Sequence, residues 1–183
     1  MRLQASRSVL LIVDMQTGLM PAIDAGQAQI TTVERLAKAA LLLEVPVFAT
    51  EHVPEKIGHT VSALRPYVQS VFIKRSFDAT AEPGFNGFLP VARPQVLVVG
   101  AEAHVCVMQT ALGLLDQGFE VWMVVDGCGS RYLADKTIAM NRLQASGARL
   151  SSTEATLFEW LGSADHPQFR AVLNLIKSRD SLA

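Results

Sequence analysis

The chain has 183 residues, half of them hydrophobic, and a formal net charge of −1. Its mean hydropathy is +0.27 and its pI is near 6.4. The length suits one domain spanning residues 1–183, with a sizeable core and a surface apolar enough to favour homo-oligomers. The charge leaves no basic footprint for nucleic acid, and no apolar run is long enough to span a bilayer.

The segment Met1 to Arg7 leads straight into a short apolar run, too short for a signal sequence with its cleavage site. A cytoplasmic protein is therefore expected. Its two cysteines, Cys106 and Cys128, make at most one bridge and read as reduced thiols. In chain order, a strand is expected over 9–14, an amphipathic helix over 30–43 and a strand over 45–50. Residues 51–69 are the longest irregular stretch and carry Pro54, Gly58 and Pro66; they read as a loop over a site. Strands follow at 71–74 and 95–99, the latter bounded by Pro94 and Gly100.

A helix is expected from about Cys106, since Val107, Ala111, Leu114 and Leu115 form an apolar stripe and Gly118 suits a left-handed cap. Next come a strand at 121–125, a helix at 134–145, a short strand at 148–151 and helical segments at 153–161 and 167–177. Strands alternating with helices imply an α/β protein, a three-layer α/β/α sandwich on a six-stranded parallel sheet, Rossmann-like, in the order 3-2-1-4-5-6.

Parallel sheets bind ligands beyond the carboxyl ends of their strands. Three polar residues fall there: Asp14, Lys74 and Cys106. Each has a structural explanation taken singly: a turn-capping carboxylate, a solvated strand-end lysine, a buried thiol. Together they supply a base, a cation and a nucleophile in one crevice. A helix start beside an ammonium favours thiolate at Cys106. The order 3-2-1 sets Lys74 two strands from Asp14, roughly 10 Å at normal strand spacing, so the lysine must reach inward.

The runs Leu11-Ile12-Val13-Asp14-Met15-Gln16 and Gly100-Ala101-Glu102-Ala103-His104-Val105-Cys106-Val107, with Lys74, Thr110-Ala111 and Asp126-Gly127-Cys128-Gly129-Ser130-Arg131, resemble the isochorismatase-like cysteine hydrolases over nearly the whole chain. That family includes nicotinamidases and N-carbamoylsarcosine amidases. Met15-Gln16, Pro21-Ala22-Ile23, Leu157-Phe158-Glu159 and His166-Pro167 look most like the branch described only as isochorismatase-domain-containing.

The resemblance implies that Cys106 attacks a carbonyl carbon, Asp14 moves the proton and Lys74 holds the charges. It also implies a cis peptide at Ala101-Glu102 and an oxyanion hole from the backbone N–H groups of Glu102 and Cys106. Nicotinamidase-like members carry an Asp-x-His pair after the second strand. Here Thr50-Glu51-His52-Val53-Pro54 and His59 have the wrong spacing, so neither metal nor cofactor is expected.

The expected partner is a small-molecule substrate with an amide, carbamoyl or ester-type group. The alternatives are vinyl ether hydrolysis, as in true isochorismatases, or a thiol-sensing scaffold of low activity. Gln16, Phe77, His104 and Arg131 are candidate substrate-binding residues, with Arg131 read either as an anion binder or as an interface ion-pair partner. Phe85 and Phe88 share helical spacing with Leu89 and read as core.

Overall fold

The computed structural model describes residues 2–177. Met1 and residues 178–183, which the expected domain includes, lie outside the described residues. Six parallel strands form one sheet in the order β3-β2-β1-β4-β5-β6. They are β1 (Ser8–Val13), β2 (Val47–His52), β3 (Ser70–Lys74), β4 (Gln95–Ala101), β5 (Glu120–Gly129) and β6 (Arg149–Ser151). The helices are α1 (Gly26–Leu42), α2 (Pro54–Ile57), α3 (Met108–Asp116), α4 (Leu133–Ala145), α5 (Thr153–Leu161) and α6 (Phe169–Lys177).

Every residue of β1 is buried, because it lies at the sheet centre between β2 and β4 with helices on both faces. Its side chains alternate between two cores. Leu10 and Ile12 join Val33, Leu36, Leu157 and Trp160 from α1 and α5. Val9, Leu11 and Val13 join Val107, Ala111, Leu114 and Leu143 on the opposite face.

Gly100 shows why the centre tolerates no side chain where β4 ends. Its φ is +137°, and a Cβ there would lie 2.1 Å from the Val13 carbonyl oxygen. That close approach sets the loop carrying Cys106 directly beside the end of β1.

Several local expectations are revised. Residues 51–69 are not one loop: Glu51 and His52 finish β2, 54–57 form α2, and 65–67 form a 3-10 turn. The segment is bonded to the β1 exit through Thr17 N–H to His59 O (2.9 Å), Gly18 N–H to Ile57 O (2.8 Å) and Val61 N–H to Met15 O (2.9 Å). β5 runs four residues beyond its expected end. The strand runs on through Asp126 and Gly127 after a register shift, pairing Cys128 with Gly100 and Gly129 with Ala101. Phe85 and Phe88 lie outside any helix. They pack into the core nonetheless, each with its ring centroid 5.2 Å from that of Phe72 and Phe88 also edge-on to Phe48 at 5.1 Å.

Candidate active site

Asp14 follows β1 in a left-handed conformation, φ +51°, which aspartate tolerates better than most side chains. The carboxylate is wholly buried. Its Oδ1 accepts from Thr50 Oγ1 at 2.6 Å, and its Oδ2 lies 2.7 Å from Lys74 Nζ. Lys74, the last residue of β3, is itself 1% exposed and crosses the end of β2 to make this contact. Nζ also donates to the carbonyls of Ser76 at 3.2 Å and Phe77 at 3.4 Å. All three ammonium protons therefore have acceptors, the condition under which a buried pair is tolerable.

Cys106 completes the cluster from the other side. It lies within a π-helical turn, Ala103–Val107, that leads into α3, rather than in the first turn of a regular α-helix. Such single turns, wider than an α-helical turn, recur at functional sites. The Glu102 carbonyl accepts from the N–H of Val105 at 3.0 Å and of Val107 at 3.3 Å, bracketing Cys106 without taking its N–H. The peptide Ala101-Glu102 is cis.

The electrostatics differ from the thiolate expected at a helix start. Burial pushes the Cys106 thiol up, and the Asp14 carboxylate adds to it; Lys74 pulls the other way but is outweighed, so the pKa stands at about 12. The resting residue is a thiol beside a carboxylate that can accept its proton. Cys128 is also raised to about 12, by burial first. Its Sγ faces the Val98 carbonyl at 3.6 Å, so it is a structural thiol.

Of the candidate substrate residues, Gln16 has another task. Its carboxamide donates to the carbonyls of His52 at 3.0 Å and Gly58 at 2.5 Å and accepts from His52 N–H at 2.7 Å. Fully buried, with both N–H donors engaged and its oxygen on the His52 N–H, it clips α2 and its flanks to the sheet. Phe77 stands at the cluster, half-exposed, with its carbonyl on Lys74 and its ring against His52.

His104 is tied to Ser130 Oγ at 3.0 Å and lies 3.9 Å from Asp135. Arg131 pairs within the chain, Nε to Glu102 Oε2 at 3.0 Å. These two brace the loop that bears Cys106 against the end of β5. Neither touches the Asp14–Lys74 pair.

Glu51 and His52 point to opposite faces of β2, as strand neighbours do. Glu51 is spent on Thr60, His59 and Arg65. Among the described residues, no group of three or more His, Cys, Asp or Glu side chains is gathered as metal ligands. A cleft of about 570 Å³ lined by Met20, Pro21, Ile30 and Val61 includes none of the three catalytic candidates. Sequence reasoning missed the bond from Thr50 and the two carbonyls on Lys74. The only signal for Thr50 was a hydroxyl at a strand end neighbouring that of Asp14.

A family model described as Isochorismatase domain matches residues 8–155. Isochorismatase domain-containing protein 2 of Homo sapiens is 38% identical over 184 residues, covering 96% of this chain and 86% of the relative. A solved structure named as MAR1 ribonuclease from Caenorhabditis elegans superposes with a TM-score of 0.91 at 36% identity, covering 97% of this chain and 93% of that one. The YcaC gene product of Escherichia coli, described as an octameric hydrolase of unknown specificity, shares the fold with a TM-score of 0.81 at 21% identity, covering 100% and 98%. The chain belongs to the isochorismatase family.

Proposed function

We propose that this member of the isochorismatase family is a cysteine hydrolase acting on a small amide, carbamoyl or ester-type substrate through an acyl-enzyme on Cys106. The observation that carries the reading is the buried Lys74–Asp14 pair, 2.7 Å from Nζ to Oδ2, acting electrostatically on the Cys106 thiol.

A thiol raised to about 12 is scarcely ionised near neutrality. Proton transfer to Asp14 therefore accompanies formation of the bond from Sγ to the carbonyl carbon. Lys74 balances the carboxylate before the transfer and the growing negative charge on the substrate after it. The backbone N–H groups of Glu102 and Cys106 are the proposed oxyanion donors, each worth about 10²–10³ in rate where such donors have been removed.

When the carbonyl carbon's bond to the leaving nitrogen or oxygen breaks, Asp14 returns the proton to the leaving atom. Water then attacks the thioester, Asp14 takes its proton, and the acid departs as Sγ is reprotonated. The cluster is 0–6% exposed at its three side chains, which suits a small uncharged substrate. The nematode relative's name raises RNA hydrolysis, but a net charge of −1 gives no support for holding a polyanion.

The same reading takes the protein as a cytoplasmic homo-oligomer. Exposed Tyr132, Leu133 and Ile138 around the start of α4 support self-association, and the Escherichia coli protein of the same fold is described as octameric.

The test is turnover of a panel of amides, carbamoyl compounds, esters and vinyl ethers, with RNA as a further arm. A Cys106→Ser variant should lose at least about a thousandfold on the best substrate, and mass spectrometry should trap the acyl group on Cys106. Turnover that survives Cys106→Ser overturns the nucleophile and favours vinyl ether chemistry or another class. A protein inert toward the whole panel leaves the scaffold reading.

A further inference from the structure

His52 closes β2 and is not used by the chemistry above. The register sets it opposite Lys74 on β3. It follows Phe48 and Thr50 at two-residue steps, so its ring belongs to the same sheet face as the Thr50 hydroxyl and the Lys74 side chain. The residue is held from several directions: Gln16 bonds both its N–H and its carbonyl, and the Phe77 ring lies 5.4 Å away at a 33° tilt. Yet Nδ1 is buried with no hydrogen-bond partner among the described residues.

Buried ring nitrogens in folded proteins have partners as a rule, and a bare one beside a reactive cluster calls for an explanation. Burial first, then the Lys74 ammonium, push the imidazole below its ordinary pKa. Arg75 acts the same way, and Asp14 and Glu55 oppose. Burial and the ammonium both favour the neutral ring, which carries a lone pair on one nitrogen.

We propose that His52 is a specificity residue of this site, its Nδ1 accepting a hydrogen bond from the N–H of a carboxamide or carbamoyl group whose carbonyl carbon is presented to Cys106. The inference rests on the cysteine hydrolase reading and narrows its substrate class, setting amides and carbamoyl compounds above esters. An ester would place an oxygen lone pair against the Nδ1 lone pair and leave the nitrogen unpaired. A site built to bond an N–H discriminates most strongly against the analogue that lacks it. Phe77, half-exposed beside the imidazole, supplies a flat apolar wall.

The test compares acylation of Cys106 by phenyl carbamate and by methyl phenyl carbonate, which both react at the carbonyl carbon with loss of phenol and differ in NH2 against OCH3. Rates are read by peptide mass spectrometry and normalised to glutathione. The wild type should favour the carbamate by about tenfold, the size of one good hydrogen bond. His52→Leu should lose that preference by slowing the carbamate alone. His52→Asn, whose Oδ1 falls near the position of Nδ1, should restore most of it, and His52→Gln should not.

Equal normalised rates in the wild type, or loss of both reagents alike in every folded His52 variant, overturn the proposal. If His52→Leu does not fold, the Asn and Gln pair carries the comparison. The assay needs no turnover, so the two readings fail separately. Labelling that depends on His52 without hydrolysis of any amide removes the hydrolase reading and keeps the subsite. Cys106-dependent hydrolysis of an amide and its matched ester that is indifferent to His52 removes the subsite and keeps the hydrolase.

Discussion

Lys74 reaches across β2 to set its Nζ 2.7 Å from Asp14 Oδ2, joining the ends of two strands that do not pair with each other. The contact lies wholly in the interior. Its carboxylate is held from a second side by Thr50 and its ammonium by two carbonyls. The pair therefore bears on stability as well as on chemistry.

Removing either partner strands a buried charge. Lys74→Ala and Asp14→Ala should each lower unfolding free energy by about 3–5 kcal/mol, whereas Asp14→Asn with Lys74→Met should recover most of it because no charge is left unpaired. Urea denaturation of the three variants checks this. Two single variants as stable as the wild type would show that the pair is not buried in solution. All three should be inactive toward any substrate found.

Thr50 holds the carboxylate of Asp14, the base of the proposed mechanism. Thr50→Val keeps the shape of the side chain and removes the bond to Asp14 Oδ1, at a cost of about 1.5–3 kcal/mol for a bond to a charged acceptor. Maximal turnover should fall roughly ten- to a hundredfold while KM moves little, since the hydroxyl touches the base rather than the substrate. A change confined to KM would place Thr50 against the substrate instead.

Gln16 is expected to act in folding rather than in binding. Gln16→Leu leaves the His52 N–H and two carbonyls without their partner, and about 2–4 kcal/mol should be lost. Limited proteolysis should then cut within 53–64 well before the wild type is cut. Unchanged stability with a raised KM would return Gln16 to the substrate-binding residues.

Alkaline pH should expose the two buried thiols. An ordinary thiol ionises near 8.5 in the unfolded chain, while folded Cys106 and Cys128 hold their protons to about 12. Between those values the unfolded state binds fewer protons, so stability falls as pH rises, roughly tenfold in the folding constant per unit for each thiol. Cys128→Ala should flatten the decline between pH 9 and 11, and Cys106→Ala should flatten it further. Denaturation midpoints that decline identically in all three proteins would mean that the thiols ionise normally when folded.

Much of the fold could be read along the chain. Branched apolar runs such as 9–13 and 95–99, each long enough for a strand and bounded by turn residues, mark central strands whatever surrounds them. The elements misread were those where tertiary contact overrides local pattern. The strand expected to end at Val125 runs on to Gly129, because Cys128 pairs with Gly100. Phe85 and Phe88 suggest a helix, yet packing on Phe72 needs only their rings. The segment after His52 reads as a loop over a site, yet it forms α2 and Gln16 fastens it to the sheet.

The sequence by itself determined the residue types at the strand ends, and with them the chemistry on offer: a carboxylate after β1, an ammonium ending β3 and a thiol after β4. Local composition sets this, because a polar residue closing an apolar run has nowhere to lie but the edge of the sheet. Only the tertiary structure decided what state those groups are in. Whether Cys106 rests as thiol or thiolate depends on how much water the fold leaves around it and on which charges stand beside it. Burial and the Asp14 carboxylate together outweigh Lys74. The burial of His52 Nδ1 without a hydrogen-bond partner among the described residues is of the same kind, since an unpaired buried atom is a property of its whole surroundings and of no segment of the chain.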